Sequence, residues 1–165
     1  MTLLEYILLA ASSLFVIIDP IALVPVFLAM TPHDTPAQRL KTARLACFVT
    51  AGVLMSFALF GKWIFNLLGI TMPAFQMAGS IILLLVALDM LQAKTSPVKE
   101  TAEETDAGKM KDDIAITPLA VPMLAGPGAI STVVLLNNRA ADFPQKSALI
   151  ICILGICAAS FLIFA

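Results

Sequence analysis

Apolar residues come along this chain in long unbroken runs. They do not alternate as in a half-buried strand, nor recur in the single stripe of a surface helix. Five runs predict membrane-spanning helices, at about residues 3–30, 45–68, 74–91, 114–136 and 147–165. Each lies near the roughly 20 residues that a helix needs to cross a bilayer. The first is too long for one straight span, and Asp19–Pro20 interrupts it. The only long polar stretch, residues 92–113, is rich in Lys, Glu, Asp and Thr and predicts a solvated loop. The fold class expected is all-α, a polytopic membrane helix bundle.

Composition agrees with that solvent. Hydrophobic residues make up 60% of the 165 and charged residues 13%, and the mean hydropathy is +0.98. A soluble domain has about 45–50% apolar and 25% charged residues. The net charge of −1, with no basic cluster, leaves no footprint for nucleic acid. Cys47, Cys152 and Cys157 all lie within apolar runs without CxxC spacing, and read as small buried hydrophobes. His33 has no second ligand at useful spacing. In the polar loop, lysines interleave Glu100, Glu103, Glu104, Asp106, Asp112 and Asp113 without a calcium-loop pattern. No metal or other cofactor is therefore expected. The N-terminus lacks a basic region and carries Glu5, so it reads as a retained first span. Basic residues set the orientation. Arg39, Lys41 and Arg44 in the first loop, with Lys94, Lys99, Lys109 and Lys111 in the third, place those loops in the cytoplasm and the N-terminus outside.

Self-comparison adds a repeat. Asp19–Leu28 can be laid on Gly126–Leu135, Pro36–Lys41 on Phe143–Lys146, and Ser56–Phe60 on Ser160–Phe164, all at nearly one offset. Three spans are an odd number of crossings, so the second copy enters from the opposite face, the pattern of many secondary transporters. The organisation expected is a first repeat (1–91), a cytoplasmic loop (92–113) and a second repeat (114–165) that is incomplete. Five spans of a 3+3 inverted repeat are then present, with the first and fourth helices broken and a sixth helix lacking.

Proline lacks the amide hydrogen and suits the first position of a helix, and Asp is a preferred N-cap. Asp19 and Pro20 therefore predict the start of a half-helix at membrane depth. In the second copy Gly126 is expected to end a half-helix in the left-handed conformation and Pro127 to begin the next, with Pro118 and Pro122 loosening the approach. Such breaks are tolerated only in protein or beside a wet cavity. Half-helix N-termini attract carboxylates, so the amides of Gly128, Ala129 and Ile130 are candidate donors. The hydroxyls of Ser131 and Thr132 lie just beyond, and Gln76 is a polar group that can face the same cavity or simply bridge helices. Gly155 and Ala159 have the small-xxx-small spacing of helix packing. Lys62 and Asp89 fall near span ends, where snorkelling and capping are the default roles.

The stretches "IIDPIALVPVF", "AFQMAGSIILLLVALDML" and "DIAITPLAVPMLAGPGAIST" closely resemble the MarC family, also called UPF0056, of bacterial inner-membrane proteins. The resemblance covers essentially the whole chain. It implies six spans, and so the same missing helix as the repeat, in a group classed with neutral amino-acid transporters. Asp19, Pro20, Pro25, Gly126, Pro127, Gly128 and Ser131 match the family's two motif regions. Where the family often has Gly-Asn, this chain has Ala22–Leu23, which removes an amide side chain. The function expected is a secondary transporter of a small solute such as a neutral amino acid, with the lipid bilayer and the solute as partners and a homo-oligomer as a possible state. The alternatives are a non-transporting membrane subunit or regulator and an inactive truncated paralogue. An enzyme is not expected, since there is no His-Glu pair, nucleophile motif or pair of intramembrane acids.

Overall fold

In the computed structural model, which describes residues 1–91 and 115–165, helix α1 (Leu3–Ile18) opens on a capping box. The Thr2 hydroxyl accepts the Glu5 amide at 3.3 Å, and the Glu5 carboxylate accepts the Thr2 amide at 2.8 Å. Two of the donors left over at a helix start are thereby paired. α1 buries Tyr6, Ala10, Leu14 and Ile18, one face at a spacing of four. Leu4, Leu8 and Val16 remain exposed. An exposed apolar face of this kind suits a helix surrounded by lipid.

Helix α2 (Leu23–Met30) follows after four residues and is bent 44° from α1. Its C-terminus is capped by Arg39, whose Nε and Nη2 both donate to the Thr31 carbonyl, at 3.1 and 3.0 Å. α3 (Pro36–Leu68) has a second capping box, Thr35 with Gln38, and Pro36 in its first turn. Its 33 residues make it about 50 Å long, more than the ~30 Å hydrocarbon core. Gln38, Arg39, Lys41 and Arg44 occupy the excess at its start. Gly69, at φ 63°, ends α3 in the left-handed conformation, and α4 (Met72–Leu91) begins three residues later.

The fourth apolar run opens as a π-helical segment, Ala115–Leu124. Pro118 and Pro122 each remove an amide donor and disfavour the ordinary four-residue bond. The wider turn carries the backbone through, and the Ala125 amide donates to the Ala120 carbonyl, five residues back, at 2.7 Å. Then come α5 (Pro127–Arg139) and α6 (Phe143–Phe164).

α3 and α6 pack together and form the scaffold, with α1 against α6 and the π-helical segment against α3. α5 lies between them and touches α1, α3, α4 and α6. It buries Ala129, Ile130, Ser131, Val133, Val134 and Leu136. Glycines make room for it. A Cβ at Gly61 of α3 would lie 2.5 Å from Val134 Cγ2, and one at Gly79 of α4 would overlap the Pro127 ring. The buried Tyr6 hydroxyl donates to the Leu136 carbonyl at 3.1 Å, joining the start of α1 to the end of α5.

The breaks expected in the first and fourth runs are present. The expectation that a C-terminal helix is lacking is corrected. The described residues form six α-helices and a π-helical segment, since each break divides one run. The last helix, α6, is 22 residues long and buries Leu149, Ile153, Cys157 and Phe164. Among the described residues, α3 and α6 are long and apolar enough to cross a membrane, and the bent pair α1–α2 makes a third candidate. Gly155 does not pack a helix as expected. It is exposed, and a Cβ there would meet nothing within 4 Å. Residues 92–114, which hold the polar loop and its acidic residues, lie outside the described residues, as does the side chain of Asp89.

Two substitutions test this packing. Gly79→Ala forces a methyl into a rigid proline ring, an overpacking worth about 1–3 kcal/mol. Gly155→Ala enters open space and gains helix propensity. Thermal unfolding in detergent is expected to rank Gly79→Ala well below Gly155→Ala, and equal midpoints refute the close approach. Tyr6→Phe removes one of two bonds to the Leu136 carbonyl, which also accepts the Ala140 amide. The carbonyl stays paired, so the expected loss is only about 1 kcal/mol, read as a small fall in the same midpoint.

Candidate functional site

The two breaks come close to each other. A Cβ on Gly128, in the first turn of α5, would lie 3.3 Å from Ile17 Cγ2, near the end of α1. Gly79 of α4 sits against Pro127 on another side. The start of α5 is thus enclosed by the end of α1 and the middle of α4.

Asp19 has a double role that differs from the expected one. Its backbone is left-handed, at φ 42° and ψ 61°, and it closes α1, its amide donating to the Phe15 carbonyl at 3.0 Å. Asp is among the few residues that adopt this conformation at small cost. The formal N-cap of α2 is Ala22, so Asp19 does not cap that helix directly. Its carboxylate still acts as a cap of the connecting turn, accepting the Ala22 amide at 3.3 Å, and its carbonyl accepts the Leu23 amide at the same distance. The Asp19 side chain is exposed, while Pro20 beside it is fully buried.

The second break is a start without a left-handed stop. Gly126 is extended, at φ −71° and ψ 172°, and serves as N-cap of α5 with Pro127 in its first turn. The expected left-handed Gly126 is corrected: the π-helical turn already ends the preceding segment, so the glycine is used for the entry to α5. A glycine cap has no side chain to accept a hydrogen bond, and none is made. Of the three amides proposed as donors, Ile130 is occupied, donating to the Gly126 carbonyl at 3.0 Å. Among the described residues nothing caps the amides of Gly128 and Ala129 at the positive end of the helix. Ala129 is buried and Gly128 half-buried.

Ser131 is buried, and its hydroxyl donates within the helix, with the Pro127 carbonyl at 2.7 Å and that of Gly128 at 3.1 Å. It therefore offers lone pairs rather than a proton to a ligand. Thr132 is half-buried. Gln76 is exposed, on α4 one turn before Gly79. The structure thus gathers Gly126, Pro127, Gly128, Ala129 and Ser131 in one turn, and brings Ile17, two residues from Asp19, against it. Among the described residues no group of three His, Cys, Asp or Glu side chains could hold a metal ion. The cysteines are free, with Cys47 and Cys157 buried.

Gly61 and Gly79, which admit α5, were missed by reading for polar groups. Their signal is that of an isolated glycine within a helical run, which marks either a weak point or a close approach.

The model of the MarC family of integral membrane proteins matches residues 4–165. A UPF0056 membrane protein of Methanocaldococcus jannaschii is 39% identical over 92% of this chain and 73% of its own length. The UPF0056 membrane protein YvbG of Bacillus subtilis is 38% identical over 92% of this chain and 72% of its own. For YhcE of Escherichia coli the identity is 34%, over 76% of this chain and 59% of the relative. The chain thus spans between 59 and 73% of the length of these three relatives. No solved structure matches it. The chain belongs to the MarC family of integral membrane proteins.

Proposed function

We propose that this chain forms the substrate-binding part of a secondary transporter for a small zwitterion, such as a neutral amino acid. The observation that carries the reading is the meeting of two helix breaks, Ile17 of α1 against Gly128 of α5, beside two uncapped amides. In this reading the amides of Gly128 and Ala129 hold the substrate carboxylate. Asp19 attracts its ammonium group or a coupling proton.

Part of the helix packing fits an inverted repeat and supports the same reading. Exchanging α1 with the π-helical segment, α2 with α5 and α3 with α6 relates two of the observed helix pairs to two others. Thus α1–α6 packing corresponds to that of the π-helical segment with α3, and α2–α6 to α5–α3, and all four pairs are in contact. The two matched glutamines have the same local task. Gln38 Oε1 accepts the Thr35 amide at 3.0 Å, and Gln145 Oε1 the Ala141 amide at 2.9 Å, each at the start of its helix. A pseudo-two-fold between such halves is the framework on which alternating access operates. In this reading the protein sits in a bacterial inner membrane, and the basic start of α3 supports a cytoplasmic position for that end and a periplasmic one for the N-terminus.

A packing role for a membrane subunit that transports nothing is favoured by one observation, the use of the Asp19 carboxylate in its own turn. Uptake of labelled neutral amino acids into proteoliposomes separates the two. Asn and Gly both tolerate the left-handed backbone, and Asn keeps the acceptor for Ala22 while removing the charge. Asp19→Asn is expected to insert normally and to lose uptake about tenfold or more, the effect of one charged hydrogen bond. Wild-type uptake with undiminished transport by Asp19→Asn removes Asp19 from the site, and no uptake of any amino acid by the wild type rejects the substrate class.

A further inference from the structure

A second site lies away from the breaks, where α3 passes the end of α6. An open groove of about 490 Å³ runs between them, lined by Arg44, Cys47, Phe48 and Ala51 of α3 and by Ala158 and Phe161 of α6 among others. Its volume falls within the roughly 300–1,000 Å³ of small-molecule sites. The lining is apolar except at one place, the guanidinium of Arg44. No hydrogen bond or ion pair to that guanidinium occurs among the described residues. Its neighbour Arg39 is by contrast committed to the Thr31 carbonyl.

The position of Arg44 along α3 fixes its depth. It is the last charged residue before the apolar run that begins at Leu45, and the next charge on the helix is Lys62. The two are eighteen positions apart, which on a helix is about 27 Å, close to the ~30 Å hydrocarbon thickness. Arg44 and Lys62 therefore lie at the two headgroup levels, and the groove extends from Arg44 toward the acyl region. Phe48, 76% exposed, forms its apolar lip one turn deeper. A cation at the headgroup level joined to an apolar channel below it matches one class of molecule in both charge and polarity.

We propose that this groove is a binding site for an anionic phospholipid, whose phosphate pairs with Arg44 and whose acyl chain lies along Cys47, Phe48 and Ala51 against Ala158. Arginine suits this task because its planar fork pairs with two phosphate oxygens. The site lies at the end of the bundle that carries Arg39 and Lys41 as well, and juxtamembrane basic residues attract anionic lipids on the cytoplasmic side.

The test is lipid retention by the purified full chain, read by native mass spectrometry after equilibration with equal phosphatidylglycerol and phosphatidylcholine. The wild type is expected to retain phosphatidylglycerol about tenfold in excess, the scale of one charge-assisted contact. Arg44→Gln is expected to abolish the excess. Lys62→Gln, an exposed charge at the other headgroup level outside the groove, is expected to leave it unchanged. Ala51→Phe, which fills the groove without touching the charge, is expected to reduce retention of both lipids while the protein keeps its thermal midpoint. Equal retention of the two lipids by the wild type overturns the proposal. So does an excess that survives Arg44→Gln, or one that Lys62→Gln lowers as much, since either reflects diffuse charge. A dimer that Ala51→Phe dissociates assigns the groove to a second copy and likewise overturns it. Transport does not enter these readouts, so their outcome is separate from that of the transporter reading.

Discussion

The arrangement depends on how closely α5 can approach its neighbours. Helix axes come near only where side chains are small, and lipid offers no hydrophobic drive to make up for a poor fit. Gly61 admits Val134, Gly79 admits the Pro127 ring, and Gly128 itself meets Ile17. Those three contacts lock α5 to α3, α4 and α1 in turn. The side chain of Val134 is branched at Cβ and the ring of Pro127 is closed, so neither can swing away to admit a larger partner. The position of the α5 N-terminus, and of every group that the second break exposes, follows from these approaches.

Backbone accounting explains why the breaks take the forms they do. Within hydrocarbon an unpaired amide or carbonyl costs several kcal/mol, roughly. At the first break Asp19 serves three groups at once. Its amide closes α1, its carbonyl accepts Leu23 and its carboxylate accepts Ala22. At the second break the π-helical turn, which ends with Ala125 bonded to Ala120, closes the preceding segment. What remains is a helix start capped by a residue that has nothing to offer it. The two breaks have thus solved the same problem differently, one with a charged side chain and the other with a glycine.

Much of this was legible in the sequence. Asp19–Pro20 and Gly126–Pro127 marked both breaks because proline's missing donor and a capping residue leave few other readings. The burial of Cys47 and Cys157 followed from their apolar settings. Boundaries were less legible. Apolar runs report the solvent around a helix rather than its ends, so α3 was expected from Leu45 although it starts at Pro36, in a polar turn of good helix formers. The roles of Asp19 and Gly126 were exchanged in part for a related reason. Both are residues that close one helix and open another, and backbone torsion decides between the two tasks. That torsion is set by the helices on either side of the break, and the approach of Val134 to Gly61 joins helices distant in sequence, so no local pattern encodes either.

The bond between Tyr6 and Leu136 also concerns time. Its partners are 130 residues apart, and the Gln145 side chain reaches back 144 residues to the Met1 carbonyl at 3.2 Å. At about 5–20 residues per second of synthesis, the first helix leaves the ribosome on the order of ten seconds before α5 exists. For that interval α1 is in the bilayer with its tyrosine hydroxyl and its buried stripe open to lipid. A helix that must wait so long needs to be stable alone, and its capping box at Thr2 and Glu5 together with its strongly apolar faces meet that need from its own residues.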